Sequence, residues 1–147
     1  MLVIARLNST LINLAFLQTN HWAIFYYMKN KSPLFLRTIA LVKAIPKGKV
    51  ASYGQVAQLI SSPGSARYVS YILSSSSGKY KLPWHRVISS TGKISLHFHS
   101  NSQARKLKIE GVEIERNKID LEVYSWKPTK TEVKKILKGI PKFNRTL

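Results

Sequence analysis

Three closely spaced helix start signals constrain the fold of this chain more than any other feature of its sequence. Ser32-Pro33 joins a capping residue to the proline that suits a first helical turn, and an apolar run with helical spacing follows. Ser52 and Gln55 have the spacing of a capping box, and a Ser-Pro-Gly turn at residues 61–64 precedes a third helix, predicted over residues 63–73. Two short helices joined by a tight turn indicate a helix-turn-helix.

Small β elements are predicted after these helices. Residues 74–78 are polar and are expected to form a loop. Residues 87–94 have the pattern of a hairpin, which would be a wing beside the helix-turn-helix, and alternating apolar residues around positions 116–118 predict a last hairpin. The expected fold class is therefore mainly α with small β elements, an α+β arrangement of the winged-helix-like, DNA-binding type.

Two more helical segments are predicted in the C-terminal half. A second capping-box spacing, with Gln103 as the reciprocal partner, predicts a helix over residues 100–111 that has Ile109 on its buried face. Beyond Pro128, apolar residues recur at helical spacing among lysines, which indicates a short basic amphipathic helix.

Composition divides the chain into three parts. Residues 1–31 are an N-terminal extension of unknown role, in which polar residues interrupt the ~20 apolar residues that a membrane-spanning helix needs. An early arginine and the absence of acids faintly resemble a transit peptide, so a targeting segment stays open. Residues 32–128 are expected to form one domain, and residues 129–147 a basic C-terminal tail.

Charge is the strongest signal about a partner. The 147 residues contain 24 Lys and Arg against 6 Asp and Glu, and the first acidic residue is Glu110. All charged side chains in the first 109 residues are therefore basic. Release of counterions from phosphates favours the binding of such a surface to nucleic acid, although solubility or an anionic membrane would also account for excess charge.

The absence of cysteine restricts the chemistry. With no cysteine in the sequence, a disulfide framework, a zinc–thiolate site and a thiol nucleophile are all excluded. The sequence predicts no metal and no cofactor.

The motif Pro83-Trp84-His85-Arg86-Val87 carries the functional prediction. It resembles the Pro-Cys-His-Arg-Val signature of the O6-alkylguanine-DNA alkyltransferases, with tryptophan in place of the acceptor cysteine. That replacement is the mark of the alkyltransferase-like proteins of this family, which bind alkylated guanine without repairing it. The resemblance covers about residues 33–111, and further landmarks lie at residues 45–50, 52–57, 66–67, 109–111 and 124–128.

The resemblance implies how DNA would be engaged. Arg67 matches the family's arginine finger, which fills the gap left by an extruded base, and its alternative role is a phosphate contact. Tyr53 matches a tyrosine that crowds the backbone phosphate, and its alternative role is packing at a helix cap. Small residues before Arg67 would let the helix approach a groove closely. The predicted DNA-binding residues are Tyr53, Ser65, Ala66, Arg67, Tyr68 and Lys93.

The resemblance also implies a lesion pocket, formed by Tyr53, Trp84, Val87 and His97. Trp84 would form its wall, and the carbonyl groups of Trp84 and Val87 would accept hydrogen bonds from the guanine amine. The residues that match the thiol-activating network of the enzymes have no thiol to activate here and are expected to order the pocket: His85, Arg86 and Glu110. Arg86 is also expected to brace the loop after the third helix.

Three positions depart from the family pattern. Ser76 stands where an asparagine usually pins the loop before the motif. His97 replaces a tyrosine or arginine of the pocket, and Tyr68 replaces a smaller residue on the groove-facing helix. These differences leave the affinity and the range of tolerated alkyl groups open.

The sequence therefore predicts a non-catalytic protein that flips O6-alkylguanine out of double-stranded DNA and marks it for nucleotide excision repair. An active alkyltransferase is disfavoured because indole is not a low-pKa nucleophile. A winged-helix regulator or a generic basic DNA-binding protein is the alternative. We expect a monomer without membrane association, in the nucleus if the organism is a eukaryote and otherwise in the cytoplasm or nucleoid.

Overall fold

The computed structural model describes residues 32–94 and 100–142 of the chain. All elements below belong to the unit that begins at Pro33. Within this described part lie six α-helices, one 3₁₀ turn and two short strands: α1 (Pro33–Ala44), β1 (Ala51–Ser52), α2 (Tyr53–Leu59), α3 (Ala66–Tyr80), the 3₁₀ turn (Trp84–Arg86), β2 (Val87–Ile88), α4 (Ser100–Ile109), α5 (Leu121–Tyr124) and α6 (Lys130–Ile136). The prediction of a mainly helical fold with small β elements is confirmed.

The cap of α2 forms as its sequence predicts, but only on one side. The Ser52 hydroxyl accepts a hydrogen bond from the Gln55 backbone N–H at 3.0 Å. The Gln55 side chain does not reach back to Ser52, and instead donates to the Trp126 carbonyl at 2.6 Å. Gln55 therefore fixes the later chain against the start of α2.

Helix α3 is longer than predicted, and the expected polar loop over residues 74–78 is wrong. The helix continues to Tyr80 and ends where Lys81 takes a left-handed conformation at φ 51°. The hydroxyls of Ser74 and Ser75 donate to the Tyr71 carbonyl at 2.9 and 2.8 Å. Because such bonds satisfy serine within a helix, a serine run on a solvent-facing side need not end it.

The predicted hairpin over residues 87–94 is also wrong. Strand β2 pairs in parallel with β1, with Val87 opposite Ala51. A turn returns the chain to Gly92, and Ile119 then donates to the Gly92 carbonyl at 2.9 Å. A Cβ atom on Gly92 would lie 2.5 Å from the Ile119 carbonyl oxygen, so this pairing requires glycine. Strand periodicity identified the extended segment but gave no information about its partner.

The last predicted hairpin is half correct. Arg116 and Asn117 have φ values of 49° and 59°, and Glu115 and Lys118 exchange two backbone hydrogen bonds across them, which makes a two-residue turn. The expected strand after Ile119 is instead helix α5, since the Asp120 carboxylate caps its N-terminus.

Two buried clusters hold the described residues together. The first joins α1, α2 and α3, and includes Leu137 at the end of α6, so the basic C-terminal segment contributes to the core. The second lies around α4. Ile109, which was expected to be buried, is 77% exposed, because α4 presents Leu107 to the core. The members of the second cluster are Val50, Ile88, Ile94, Leu107, Val112 and Ile119.

Within the described residues, no helix is long and apolar enough to cross a membrane.

Candidate nucleic-acid interface

Trp84 begins the 3₁₀ turn, four residues after α3 ends. Its indole is half-buried and packs against the cluster formed by the first three helices. The His85 ring meets it edge-on, with the ring centroids 6.2 Å apart, and the Lys106 Nζ atom lies 5.6 Å from the indole centroid. The tryptophan is therefore a fixed aromatic wall with a cation beside it.

Gln103 fixes the backbone around Trp84. Its buried side-chain amide donates to the carbonyls of His85 and Val87, at 3.3 and 3.1 Å. Sequence reasoning assigned Gln103 to a helix cap and missed this contact. The carbonyl of Trp84 accepts from the Val87 N–H. Both carbonyls expected to receive a guanine amine thus accept hydrogen bonds within the protein.

Glu110 receives hydrogen bonds from three residues in two parts of the chain. The Arg86 guanidinium donates through Nε and Nη2, at 2.8 to 3.2 Å. The His85 Nε2 atom lies 2.8 Å from one carboxylate oxygen, and the Gly48 backbone N–H donates to the other at 3.1 Å. The structure thus brings together the three residues that the resemblance placed in one network.

Glu110 is ionised at neutral pH. Burial by itself raises the pKa of this carboxyl, but hydrogen bonds from Arg86, His85 and Gly48 outweigh burial and lower the pKa to about 2. The carboxylate accepts, so the His85 Nε2 atom must donate. A neutral His85 then presents its buried Nδ1 atom as an acceptor, and Nδ1 has no partner within the part of the chain that the structure describes.

Arg86 does not brace the loop after the third helix, and that expectation is wrong. Besides Glu110, it contacts the Ile45 carbonyl through Nη1 at 2.6 Å. The guanidinium therefore connects the end of α1 to the Glu110 carboxylate. Because α3 extends to Tyr80, only three residues separate it from Trp84, and the long loop that Arg86 was expected to brace does not form.

Arg67 is exposed in the first turn of α3, directly after Ala66 and the N-cap residue Ser65. Tyr68 packs partly against the core and stacks on Tyr71, with centroids 6.4 Å apart and planes 30° apart. Tyr71 is 65% exposed, and sequence reasoning missed it. Tyr71 lies four residues after Arg67, so both side chains are on one helix face. That spacing is the sequence signal that would have predicted an exposed tyrosine beside Arg67.

Tyr53 and Lys93 lie on different parts of the molecule. Tyr53 is the first residue of α2, and burial raises the pKa of its phenol. It packs against the same cluster as Tyr68 and Trp84. Lys93 is exposed, and its backbone pairs with Lys118 near the second cluster.

Two of the positions that differ from the family pattern are Ser76 and His97. Ser76 lies inside α3, with its hydroxyl 3.3 Å from that of Ser75, and not in a loop. His97 lies outside the described residues.

The acidic residues are concentrated away from Trp84. A cavity of about 580 Å³ shares no residue with the Trp84 surroundings and is lined by four of the six acids, Glu113, Glu115, Asp120 and Glu122. Since these carboxylates would repel phosphates, the cavity is unsuited to DNA, and the basic surfaces elsewhere are the candidate interface. Among the described residues, no group of three His, Cys, Asp or Glu is placed to hold a metal ion.

Comparisons with known proteins identify relatives of this chain in sequence and in structure. A DNA base-flipping protein of Vibrio parahaemolyticus is 44% identical over 95 residues, which are 63% of this chain and 95% of the relative. Alkyltransferase-like protein 1 of Schizosaccharomyces pombe is 39% identical over 92 residues, 57% of this chain and 85% of the relative. The crystal structure of the same S. pombe protein with damaged DNA containing O6-carboxymethylguanine matches with a TM-score of 0.60 at 35% identity, covering 65% of this chain and 95% of that one.

These matches confirm the resemblance to alkyltransferase-like proteins that the Trp84 motif indicated. A family model described as the DNA-binding domain of 6-O-methylguanine DNA methyltransferase matches residues 33–112, which are more than half of the chain. The chain belongs to the family of this DNA-binding domain.

Proposed function

We propose that this protein binds double-stranded DNA containing O6-alkylguanine, holds the flipped base beside Trp84, and leaves the alkyl group in place. One observation carries the proposal: the His85–Glu110–Arg86 network is formed next to Trp84, the residue that the motif resemblance aligns with the acceptor cysteine. The relatives with similar sequences are a base-flipping protein and an alkyltransferase-like protein, which supports the same function.

The chemistry at Trp84 opposes alkyl transfer. Irreversible dealkylation needs a thiolate or a nucleophile of similar strength, and the sequence contains no cysteine. The carboxylate of Glu110 already receives its hydrogen bonds from His85, Arg86 and Gly48, so its role here is to hold the turn under Trp84. The Trp84 turn, held by this network and without a nucleophile, therefore suits binding of the damaged base and not its repair.

Base extrusion requires a group that replaces the lost stacking. Unstacking a base costs a few kcal/mol, and a planar guanidinium offers a face of suitable size. Arg67 is exposed at the start of α3. We infer that it enters the duplex and stabilises the open state, after which the bound lesion is recognised by nucleotide excision repair proteins, in the nucleus of a eukaryotic cell.

A competition assay tests this function. A labelled duplex with one O6-methylguanine is displaced from the protein by unlabelled O6-methylguanine duplex or by its undamaged twin. We expect the damaged competitor to be at least tenfold more effective. Equal displacement would leave only the generic DNA-binding alternative, and base-sequence preference on undamaged DNA would favour a regulator.

A second measurement tests the absence of catalysis. Excess protein is incubated with DNA that carries radiolabelled O6-methyl groups, and we expect the label to stay on DNA. Label recovered on the protein would contradict the proposal.

A further inference from the structure

A cation lies beside the Trp84 indole, the predicted wall of the lesion pocket. Lys106 lies on α4, is exposed, and places its Nζ atom 5.6 Å from the centroid of the Trp84 ring. The α4 backbone is fixed to the Trp84 turn by Gln103, which donates to the carbonyls of His85 and Val87. The fold therefore places the Lys106 backbone beside the indole, and the flexible side chain brings the ammonium to the ring.

We propose that Lys106 makes the pocket favour O6 substituents that carry a negative charge. This inference rests on the proposed function, because it assumes that the flipped base packs on Trp84. A ligand on that ring either lies beside the ammonium or displaces it from the ring. A neutral alkyl group gives the displaced ammonium no new partner, whereas a carboxylate on the substituent forms an ion pair with it.

The surrounding charges support this preference. Within residues 32–94 and 100–142, no carboxylate forms an ion pair with Lys106. The Glu110 carboxylate is paired with the Arg86 guanidinium, and His85 donates a hydrogen bond to it. The residue before Lys106 on α4, Arg105, is also exposed and basic. An anionic group in this region therefore meets a positive potential that no nearby acid compensates.

The alternative role of Lys106 is a contact to a DNA phosphate. A phosphate contact would stabilise every duplex to the same extent, because it does not depend on the damaged base. Only a lysine that senses the substituent changes the ratio of affinities between two lesions of equal size. The experiment therefore compares ratios and not single affinities.

The test measures dissociation constants for duplexes with O6-carboxymethylguanine and with its neutral carboxamide analogue, at one salt concentration. For the unmodified protein we expect the acid to bind three- to tenfold more tightly than the amide, in keeping with about 0.7–1.4 kcal/mol for a partly exposed ion pair. Lys106→Met should bring the ratio close to one, and Lys106→Arg should retain it. Lys108→Met, on the same helix, is the matched control and should leave the ratio unchanged.

The outcomes separate this inference from the function on which it rests. If both lesions outcompete undamaged DNA but the acid-to-amide ratio is near one, or is unaffected by Lys106→Met, the charge preference is overturned and the proposed function stands. Equal weakening of all duplexes by Lys106→Met assigns the lysine to a phosphate and also overturns it. If neither lesion outcompetes undamaged DNA, both proposals fail.

Discussion

Glu110→Gln keeps the shape of the side chain at the centre of the network but removes its charge. The carboxylate accepts from Arg86, His85 and the Gly48 N–H, and its side chain is 11% exposed. A hydrogen bond to a charged group contributes about 1.5–3 kcal/mol, and removing one partner of a buried ion pair costs about 3–5 kcal/mol. These bonds are not additive and glutamine retains some of them, so we expect the free energy of unfolding to fall by about 2–4 kcal/mol at pH 7.

The same substitution changes the response to acid. The pKa of Glu110 is about 2 in the folded protein and 4.5 in its ordinary state. Its contribution to stability is therefore complete above about pH 5 and is lost as the pH falls towards 2. Glutamine does not titrate, so the difference between the two proteins should shrink over this range.

Urea unfolding followed by tryptophan fluorescence at pH 7, 5 and 3 measures both effects. Glu113→Gln removes an exposed acid and serves as the control, with an expected change within about 0.5 kcal/mol. The reasoning is refuted if Glu110→Gln unfolds at the same urea concentration as the unmodified protein at pH 7. It is also refuted if the stability difference stays constant down to pH 3.

Two further predictions concern DNA. Arg67→Ala should raise the dissociation rate from O6-methylguanine DNA about 5- to 150-fold, by loss of about 1–3 kcal/mol of stacking, with little change in association rate. As a control, Lys93→Ala should weaken the binding of damaged and undamaged duplexes equally. Stopped-flow measurements give the dissociation rates, and if Arg67→Ala also changed both duplexes equally, Arg67 would be only a phosphate contact. Log affinity against log salt should have a slope of about −4 to −5 if about five basic residues reach phosphates, and a slope shallower than about −2 would contradict the charge argument.

Under the proposed function, a binding protein retains the framework of an enzyme, and the network behind Trp84 offers a structural reason. Arg86 links the Ile45 carbonyl to Glu110, and Glu110 in turn holds His85 beneath the tryptophan. Removing these groups would leave buried charges unpaired, which is costly whether or not a thiol is present. The network therefore has a structural reason to persist without a reaction to support.

Local signals in the sequence determined where two helices begin and where one turn forms. Pro33 begins α1, the Ser52 hydroxyl caps α2, and the turn at Arg116 and Asn117 forms where polar residues interrupt the apolar pattern. Each of these depends on hydrogen bonds between residues a few positions apart, so the residue types alone indicate them. The resemblance at Trp84, and not residue patterning, supplied the pairing of His85 with Glu110.

Tertiary structure decided the contacts between distant segments. Strand β2 pairs with β1 and not with the segment that follows it. The Gln103 side chain donates to the backbone beside Trp84 instead of capping its own helix, and Ile109 faces solvent. The charge pattern of 24 basic and 6 acidic residues does not specify which guanidinium reaches which carboxylate, and only the resemblance placed Arg86 and Glu110 in one network. The packing of α4 against the 3₁₀ turn brings Glu110 to Arg86. The same packing places Lys106 over Trp84. Packing of that kind is fixed by the whole core, because each contact is stable only when the elements on both sides are already in place.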